Sequence, residues 1–314
     1  MDRNNILSDA QHAFRKKRSC ETQLLLTVDD LARGLDDKSQ TDMILLDFSK
    51  AFDKVPHKRL LLKVACCGIG GSILAWIEDF LHSRTQKVVL EGQSSCWAPV
   101  TSGVPQGSVL GPLLFLLFIN DLPDCVTSST ARLFADDTVV YRRITSRDDA
   151  LQNDTNALQQ WTDTWLMQFN ASKCQVLRVT LKRKPVVTSY TISGQTLDEV
   201  DSAKLLGVDI DSKLTFNNHI DSICKRANSS RAFLSRNLRS CTKDTRDIMY
   251  KTYVRPTVEY ASTVWDPHTS RNTKKLEQVQ RHSARYVTGN RDYNCSTTRP
   301  VSYTHLTLPT KRIV

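Results

Sequence analysis

The nine cysteines of this chain form no Cys-x-x-Cys pair, and no histidine cluster accompanies them. That spacing argues against a thiolate zinc site and against a secreted disulfide framework. Long apolar runs are equally scarce. The longest, Val109 to Ile119, is interrupted by Gly111 and Pro112 and falls short of the roughly 20 residues a membrane helix needs. No charged-then-apolar signal segment opens the chain. These gaps describe a reduced, intracellular, soluble chain with no membrane partner. What is present is ample apolar material: 40% of 314 residues, which excludes wholesale disorder and suits about two domains or one large multi-part enzyme fold.

The formal charge of +10 is unevenly placed. Residues 213–300 hold seventeen Lys/Arg against seven Asp/Glu, whereas residues 1–212 hold twenty-four against twenty-six. A near-neutral body with a basic C-terminal third points to an acidic polymer, nucleic acid above all. A Lys/Arg-rich solvated helical surface would have the same composition.

Residues 301–314 stand apart. Val301-Ser-Tyr-Thr-His-Leu-Thr-Leu-Pro-Thr310 resembles the translation of the mosaic-end adapter of transposase-made sequencing libraries. Foreign segments of this kind carry no fold information, and the genuine chain is expected to run on beyond about Pro300.

Periodicity orders the rest. Ser8 is placed as the cap of a helix over 8–33, with Leu24, Leu25, Val28 and Leu31 at helical spacing. Met43–Leu46 reads as a buried strand ending at Asp47, and helices follow at about 57–67 and 72–82. Strands pair around Gly92, residues 103–107 form a loop, and 109–121 form an apolar helix. Leu133–Tyr141 reads as two strands hinged at Asp136-Asp137. A helix over 148–169 carries Leu151, Leu158, Trp161, Trp165 and Phe169 on one face, and strands follow at 175–181, 188–193 and 203–210. From Asn218 the pattern is helical, with Ile220, Ile223, Cys224, Ala227, Leu234 and Leu238 in one stripe and Lys225, Arg226, Arg236 and Arg239 opposite. Intermingled strands and helices followed by helices alone define an α+β class with a helical appendage.

Asp47 ends a buried strand, and Asp136 and Asp137 sit at a hairpin tip. Carboxylates among apolar residues are expensive unless compensated, and a divalent cation compensates several at once. Mg²⁺ takes one or two carboxylates plus phosphate oxygens. Two such ions ~3.5–4 Å apart stabilise both the attacking and the leaving oxygen of an in-line displacement. Asp-Asp is also an ordinary turn dipeptide, and Asp53 competes with Asp47 for the first position.

Ile44-Leu-Leu-Asp-Phe-Ser-Lys-Ala-Phe-Asp-Lys-Val-Pro-His57 resembles motif A of reverse transcriptases. Ser102-Gly-Val-Pro-Gln-Gly-Ser-Val-Leu-Gly-Pro112 resembles motif B, and Phe134-Ala-Asp-Asp-Thr138 motif C. Gln11-His-Ala-Phe-Arg-Lys-Lys-Arg-Ser19 is similar to an upstream fingers motif, and Leu205-Leu-Gly-Val-Asp-Ile210 to the primer grip. They occur in the family's order over roughly residues 8–290, and their spelling is closest to non-long-terminal-repeat (LINE-type) retrotransposons.

The resemblance implies a right-hand polymerase: partial fingers over 1–41, a palm with an antiparallel sheet and the remaining fingers elements over 42–212, and a basic helical thumb over 213–300. It implies that Asp47 and Asp136 bind two Mg²⁺, with Mn²⁺ as a substitute, and that Asp137 is a lesser ligand or electrostatic support. Asp53 becomes a structural acid. Phe52, five positions past Asp47, matches the steric gate that rejects a 2′-hydroxyl; an ordinary core Phe is the alternative. Gln106 and Gly107 match the motif-B turn, where Gln106 hydrogen-bonds template or nucleotide and glycine admits close approach. Lys173 matches the motif-D lysine, a proton donor to the leaving pyrophosphate, or else a solvated strand-leading lysine. The implied partners are an RNA template, a DNA primer or RNA–DNA hybrid, and deoxynucleoside triphosphates. Nuclear localisation during integration, or a cytoplasmic ribonucleoprotein, follows from the family.

The family's most N-terminal fingers motifs and upstream endonuclease have no counterpart here, so Met1 is expected to be internal to a longer reading frame or to begin a truncated element, and activity of the fragment alone is left open. Arg15–Arg18 is a partial replacement for the missing triphosphate-binding cations. A catalytically silent nucleic-acid-binding fragment and an RNA-templated RNA polymerase are the rival functions. Phe52 and Phe-Ala-Asp-Asp speak against the latter.

Overall fold

The computed structural model describes residues 6–145 and 149–289. The adapter-like segment 301–314 and Asp148 lie outside them. The chain forms two compact units, Met1–Leu206 and Gly207–Val314, and residues 1–41 belong to the same unit as the sheet.

Helix α1 (Cys20–Asp36) begins at Ser19, not Ser8. The Ser19 hydroxyl accepts from the Thr22 N–H while the Thr22 hydroxyl accepts from the Ser19 N–H, a reciprocal capping box. Ser8 instead closes a local turn, its hydroxyl accepting from the Ala10 N–H. The apolar residues that suggested a helix over 8–33 all lie after Ser19, so periodicity never supported the first part of it.

Strand β1 (Gln40–Leu46) follows, then α2 (Ala51–Lys54), α3 (His57–Cys66) and α4 (Gly71–Leu81). An exposed arm comes next: β2 (Thr85–Gln86), β3 (Val89–Leu90), β4 (Gln93–Ser94) and β5 (Ala98–Pro99), with β2 paired to β5 and β3 to β4. Apolar α5 (Leu110–Ile119) precedes the hairpin β6 (Thr130–Phe134) and β7 (Asp137–Ile144). Helix α6 (Ala150–Trp165) stops at Leu166, which turns left-handed at φ +56°. Phe169, expected on that helix, therefore bridges to Phe48 instead. Strands β8 (Gln175–Thr180), β9 (Thr191–Ile192), β10 (Gln195–Thr196), β11 (Asp198–Val200) and β12 (Ser202–Leu205) complete the first unit.

The main sheet runs β11-β8-β1-β7-β6, antiparallel except for β11 beside β8. Central β1 is buried on both faces, like a strand covered from two sides. Its Ile44 and Leu46 pack with Val140, Val176, Phe115, Phe118, Leu158 and Trp161 from β7, β8, α5 and α6. Helix α1 lies against β1, β6 and β8. Behind α5, Lys63 of α3 is only 7% exposed; its ammonium donates to the Phe118 carbonyl at 2.6 Å and lies 3.7 Å from the centre of the Trp165 ring.

The second unit holds β13 (Val208–Asp211), α7 (Asn217–Asn237), α8 (Lys243–Tyr253), α9 (Arg255–Glu259), α10 (Ser262–Trp265) and α11 (Ser270–Thr288). The single strand expected over 203–210 is broken at Leu206 and Gly207, whose φ angles of +44° and +85° are incompatible with continuous β structure. On α7, Ile220, Ile223, Cys224, Ala227 and Leu234 are buried, while Lys225, Arg226 and Arg236 are exposed. Arg239, also exposed, lies just past the helix end.

Candidate active site

The register of the sheet brings the acidic residues together. β1 and β7 pair from Gln40–Ile144 to Leu46–Thr138, so one further step along the ladder sets Asp47 beside Asp137. Adjacent strands are roughly 4.8 Å apart. β6 and β7 join through Ala135 and Asp136, with Phe134 paired to Asp137. Asp47, Asp136 and Asp137 thus meet at one end of the sheet. Their charges act on one another: burial and then the charge of Asp47 raise the Asp136 carboxyl above the usual range. Asp137 is pushed up to about 6 by burial, then by Asp136 and Asp47.

A fourth acid on the same sheet shows what a structural carboxylate looks like here. Asp42 is fully buried in β1, and it accepts from Gln40 Nε2 at 2.8 Å, Tyr190 OH at 2.9 Å and Arg178 Nε at 3.3 Å. Among the described residues, no side chain donates to the Asp136 or Asp137 carboxylates, and Asp136 has its own backbone N–H. Asp47 has exposed Lys173 beside it, its Nζ 3.8 Å from Oδ2. Mutually repelling carboxylates with few partners, Asp47 and Asp136 half-buried and Asp137 exposed, are the donor set a divalent cation suits. Among the described residues, no three or more His, Cys, Asp or Glu side chains are grouped so as to hold a metal ion, so the three acids adjoin at the end of the sheet without forming a ready ligand set. Mg²⁺ does not need one, since waters and substrate phosphates fill the rest of its shell.

The segment after Asp47 is zipped to the motif-B turn. Gly103 N donates to Val55 O and Val104 N to Phe52 O, both at 2.8 Å, and Ser102 Oγ donates to Asp53 O at 2.9 Å. Gly103 sits at φ +91°, where a Cβ would lie 2.7 Å from the Asp53 carbonyl oxygen. Asp53 acts within this joint, accepting from Gln106 Nε2 at 2.8 Å. Gln106 is exposed, and its amide is committed to Asp53 in this state. Gly107, at φ +79°, has open space where its Cβ would be. Phe52 is half-buried, its ring stacked on Phe115 with centroids 4.2 Å apart. His57, to which the sequence assigned no role, is buried and bonds the Gly103 carbonyl through Nε2 at 2.8 Å. Its place directly after the motif-A turn was the only available hint.

The turn before β8 fixes the Asp47 backbone. Asn170 N donates to Asp47 O at 2.7 Å, and the Asp47 N–H lies 3.4 Å from the buried Cys174 sulfur. That turn also places Lys173. The basic cluster near the N-terminus is partly committed elsewhere. Arg15 donates to the Ser8 and Gln11 carbonyls, and Arg18 pairs with Asp9 at 2.6 Å.

A right-hand polymerase palm is the class this sheet and its tip carboxylates define, and residues 1–210 match the family described as reverse transcriptase (RNA-dependent DNA polymerase). The chain belongs to the reverse transcriptase family, whose members are nucleotidyltransferases. It is 29% identical over 299 residues to the probable RNA-directed DNA polymerase from transposon X-element of Drosophila melanogaster, across 92% of this chain and 33% of that protein. It is 30% identical over 294 residues to the RNA-directed DNA polymerase from mobile element jockey of Drosophila funebris, across 89% of this chain and 32% of that protein. These mobile-element relatives agree with the LINE-type spelling of the motifs. The chain spans about a third of the length of the curated relatives it matches. Among solved structures, apo telomerase from Candida tropicalis is similar at TM-score 0.46 and 12% identity, covering 89% of this chain and 52% of that one.

Proposed function

We propose that this chain is the polymerase core of a retrotransposon RNA-directed DNA polymerase, which extends a primer 3′-hydroxyl with deoxynucleoside triphosphates on an RNA template. The observation that carries the reading is the meeting of Asp47 with the Asp136–Asp137 turn, in contrast to the satisfied Asp42. Asp47 and Asp136 would hold two Mg²⁺, with Asp137 as support. Divalent cations held there supply charge stabilisation at the attacking and leaving oxygens.

The remaining roles belong to side chains. Phe52, backed by Phe115, presents a flat ring against the incoming sugar and rejects a 2′-hydroxyl. The Gln106–Asp53 bond holds the motif-B turn until template or nucleotide competes for the amide. Lys173, long and exposed beside Asp47, is within reach of a leaving pyrophosphate and donates a proton to it. The basic face that carries Lys225, Arg226, Arg236 and Arg239 tracks the hybrid backbone. Partners are therefore an RNA template, a primer and deoxynucleotides, met inside the cell and in the nucleus during integration.

Primer extension on an RNA template, with deoxy- and ribonucleotides compared, tests the reading in this chain and in a longer chain that contains it. Asp136→Asn should abolish extension without lowering the urea midpoint, since it hardly alters volume and removes a repelling charge. Retention of more than about a tenth of the activity, roughly 1.4 kcal/mol of barrier, sinks the assignment.

A further inference from the structure

Gln11 opens the motif that the catalytic reading leaves unused. We propose that Gln11 is a positioning residue for the carboxylate tip: its side-chain amide holds the Ala135 turn in the shape that places Asp136. The inference rests on the metal-binding reading of those carboxylates.

The chain around Gln11 is laid against β6. Gln11 forms a parallel bridge with Leu133, His12 N donates to Leu133 O at 2.8 Å, and Leu133 N donates to Ala10 O at 2.9 Å. This fixes the Gln11 backbone beside the end of the strand. Its side chain, in a residue only 2% exposed, then reaches past Leu133 into the turn. Gln11 Oε1 accepts from Ala135 N at 2.9 Å, and Nε2 donates to Ala135 O at 3.3 Å. The same Oε1 accepts from Ala13 N at 2.9 Å, which holds the amide plane from its other side.

Ala135 needs this help for two reasons. It sits at φ +55°, a left-handed conformation disfavoured for a residue with a Cβ. It is also buried, so its N–H and carbonyl need partners from the protein. A primary amide offers an acceptor and a donor on one short planar group. Gln supplies both, and one methylene fewer would leave the turn out of reach. Asp136 is the next residue, so a turn that relaxes toward an ordinary conformation swings its carboxylate away from Asp47.

Hydrogen exchange at Ala135 and Mn²⁺ binding by electron paramagnetic resonance, both on the full chain, test the clamp. Gln11→Met keeps the length of the side chain and removes its donor and acceptor. It should speed exchange of the Ala135 amide by at least about tenfold and weaken Mn²⁺ binding by at least about tenfold, with α1 exchange unchanged. Gln11→Glu keeps the oxygen that accepts from Ala135 and Ala13 and, while its carboxyl is protonated, a donor to the Ala135 carbonyl, so measured at low pH it should retain the protection of the Ala135 amide. This also decides the matter if Gln11→Met does not fold. Wild-type exchange in Gln11→Met, faster exchange with unchanged Mn²⁺ affinity, or loss of protection in Gln11→Glu at low pH would each overturn the proposal. Asp136→Asn separates the two readings. If it binds Mn²⁺ as the wild type does, the metal assignment fails, and the clamp is judged on Ala135 exchange alone.

Discussion

Gly103 and Gly107 flank the same turn at nearly the same backbone angle, and replacing each with alanine isolates what the joint between motifs A and B is worth. Gly103 stands at φ +91° and Gly107 at φ +79°. Each alanine takes on the cost of a left-handed conformation, roughly 1–2 kcal/mol. At Gly107 nothing lies within 4 Å of the new Cβ, so that cost is the whole effect. At Gly103 the Cβ would lie 2.7 Å from Asp53 O and 2.9 Å from Asp53 Cα, and backbone cannot rotate away as a side chain can. Overpacking of this kind adds about 1–3 kcal/mol. Gly103→Ala should therefore destabilise by about 2–5 kcal/mol and exceed Gly107→Ala by about 1–3 kcal/mol. Urea unfolding of the two variants measures the difference directly. Because Phe52 and Asp53 are bonded to this turn, Gly103→Ala should also raise the KM for deoxynucleotide more than Gly107→Ala does. Equal destabilisation by the two alanines would refute the reasoning, since it would mean that Asp53 does not press on Gly103.

Phe52→Val should raise the ratio of ribonucleotide to deoxynucleotide kcat/KM by about tenfold or more, worth at least ~1.4 kcal/mol of discrimination; an unchanged ratio with activity preserved would leave Phe52 as core packing on Phe115. Buried His12 is held down to about 4 by burial first, then by Arg18, Arg132 and Arg15, against an ordinary value of 6.5. Its unfolded form therefore binds the extra proton between those values, so stability is present above pH 6.5 and falls as pH drops from 6.5 toward 4, by up to about 3 kcal/mol. His12→Gln should flatten that part of a urea-midpoint against pH curve, and a parallel curve would refute the assignment. Changing Lys225, Arg226, Arg236 and Arg239 together to Gln should weaken RNA–DNA hybrid binding about equally across sequences. It should also shrink the log–log salt slope by roughly one unit for each phosphate-neutralising cation removed, and a wild-type slope would place the hybrid elsewhere.

The elements legible in the sequence were those whose residues carry their own signal. The apolar run of β1, the helices at 57–66 and 71–81 and the hairpin at 130–144 needed only periodicity and punctuation. Errors arose where a local cue had two meanings. Ser8 with Gln11 three residues on reads on paper as a capping box, yet the Gln11 amide is bonded to Ala135 and Ala13, and the box that closes is that of Ser19 and Thr22. Phe169 continues the helical spacing of Trp161 and Trp165, yet left-handed Leu166 has already ended the helix.

For the site, the sequence identifies which residues can do chemistry, because the chemistry demands particular groups, but it says little about what holds them. The Gln11–Ala135 bonds span 124 positions, and His57–Gly103 spans 46. Neither partner of Gln11 or His57 is a distinctive residue. The acids make the same point more sharply. Asp42 and Asp47 lie on or directly after one strand, five positions apart, and nothing in either letter distinguishes them. The fold does: Asp42 meets Arg178 and Tyr190, whereas Asp47 emerges beside two more carboxylates. An acid that the protein satisfies by itself has no affinity to spare for a cation. One that the protein leaves in repulsion gains from binding whatever brings positive charge, and that difference in satisfaction, set by register, separates scaffold from site.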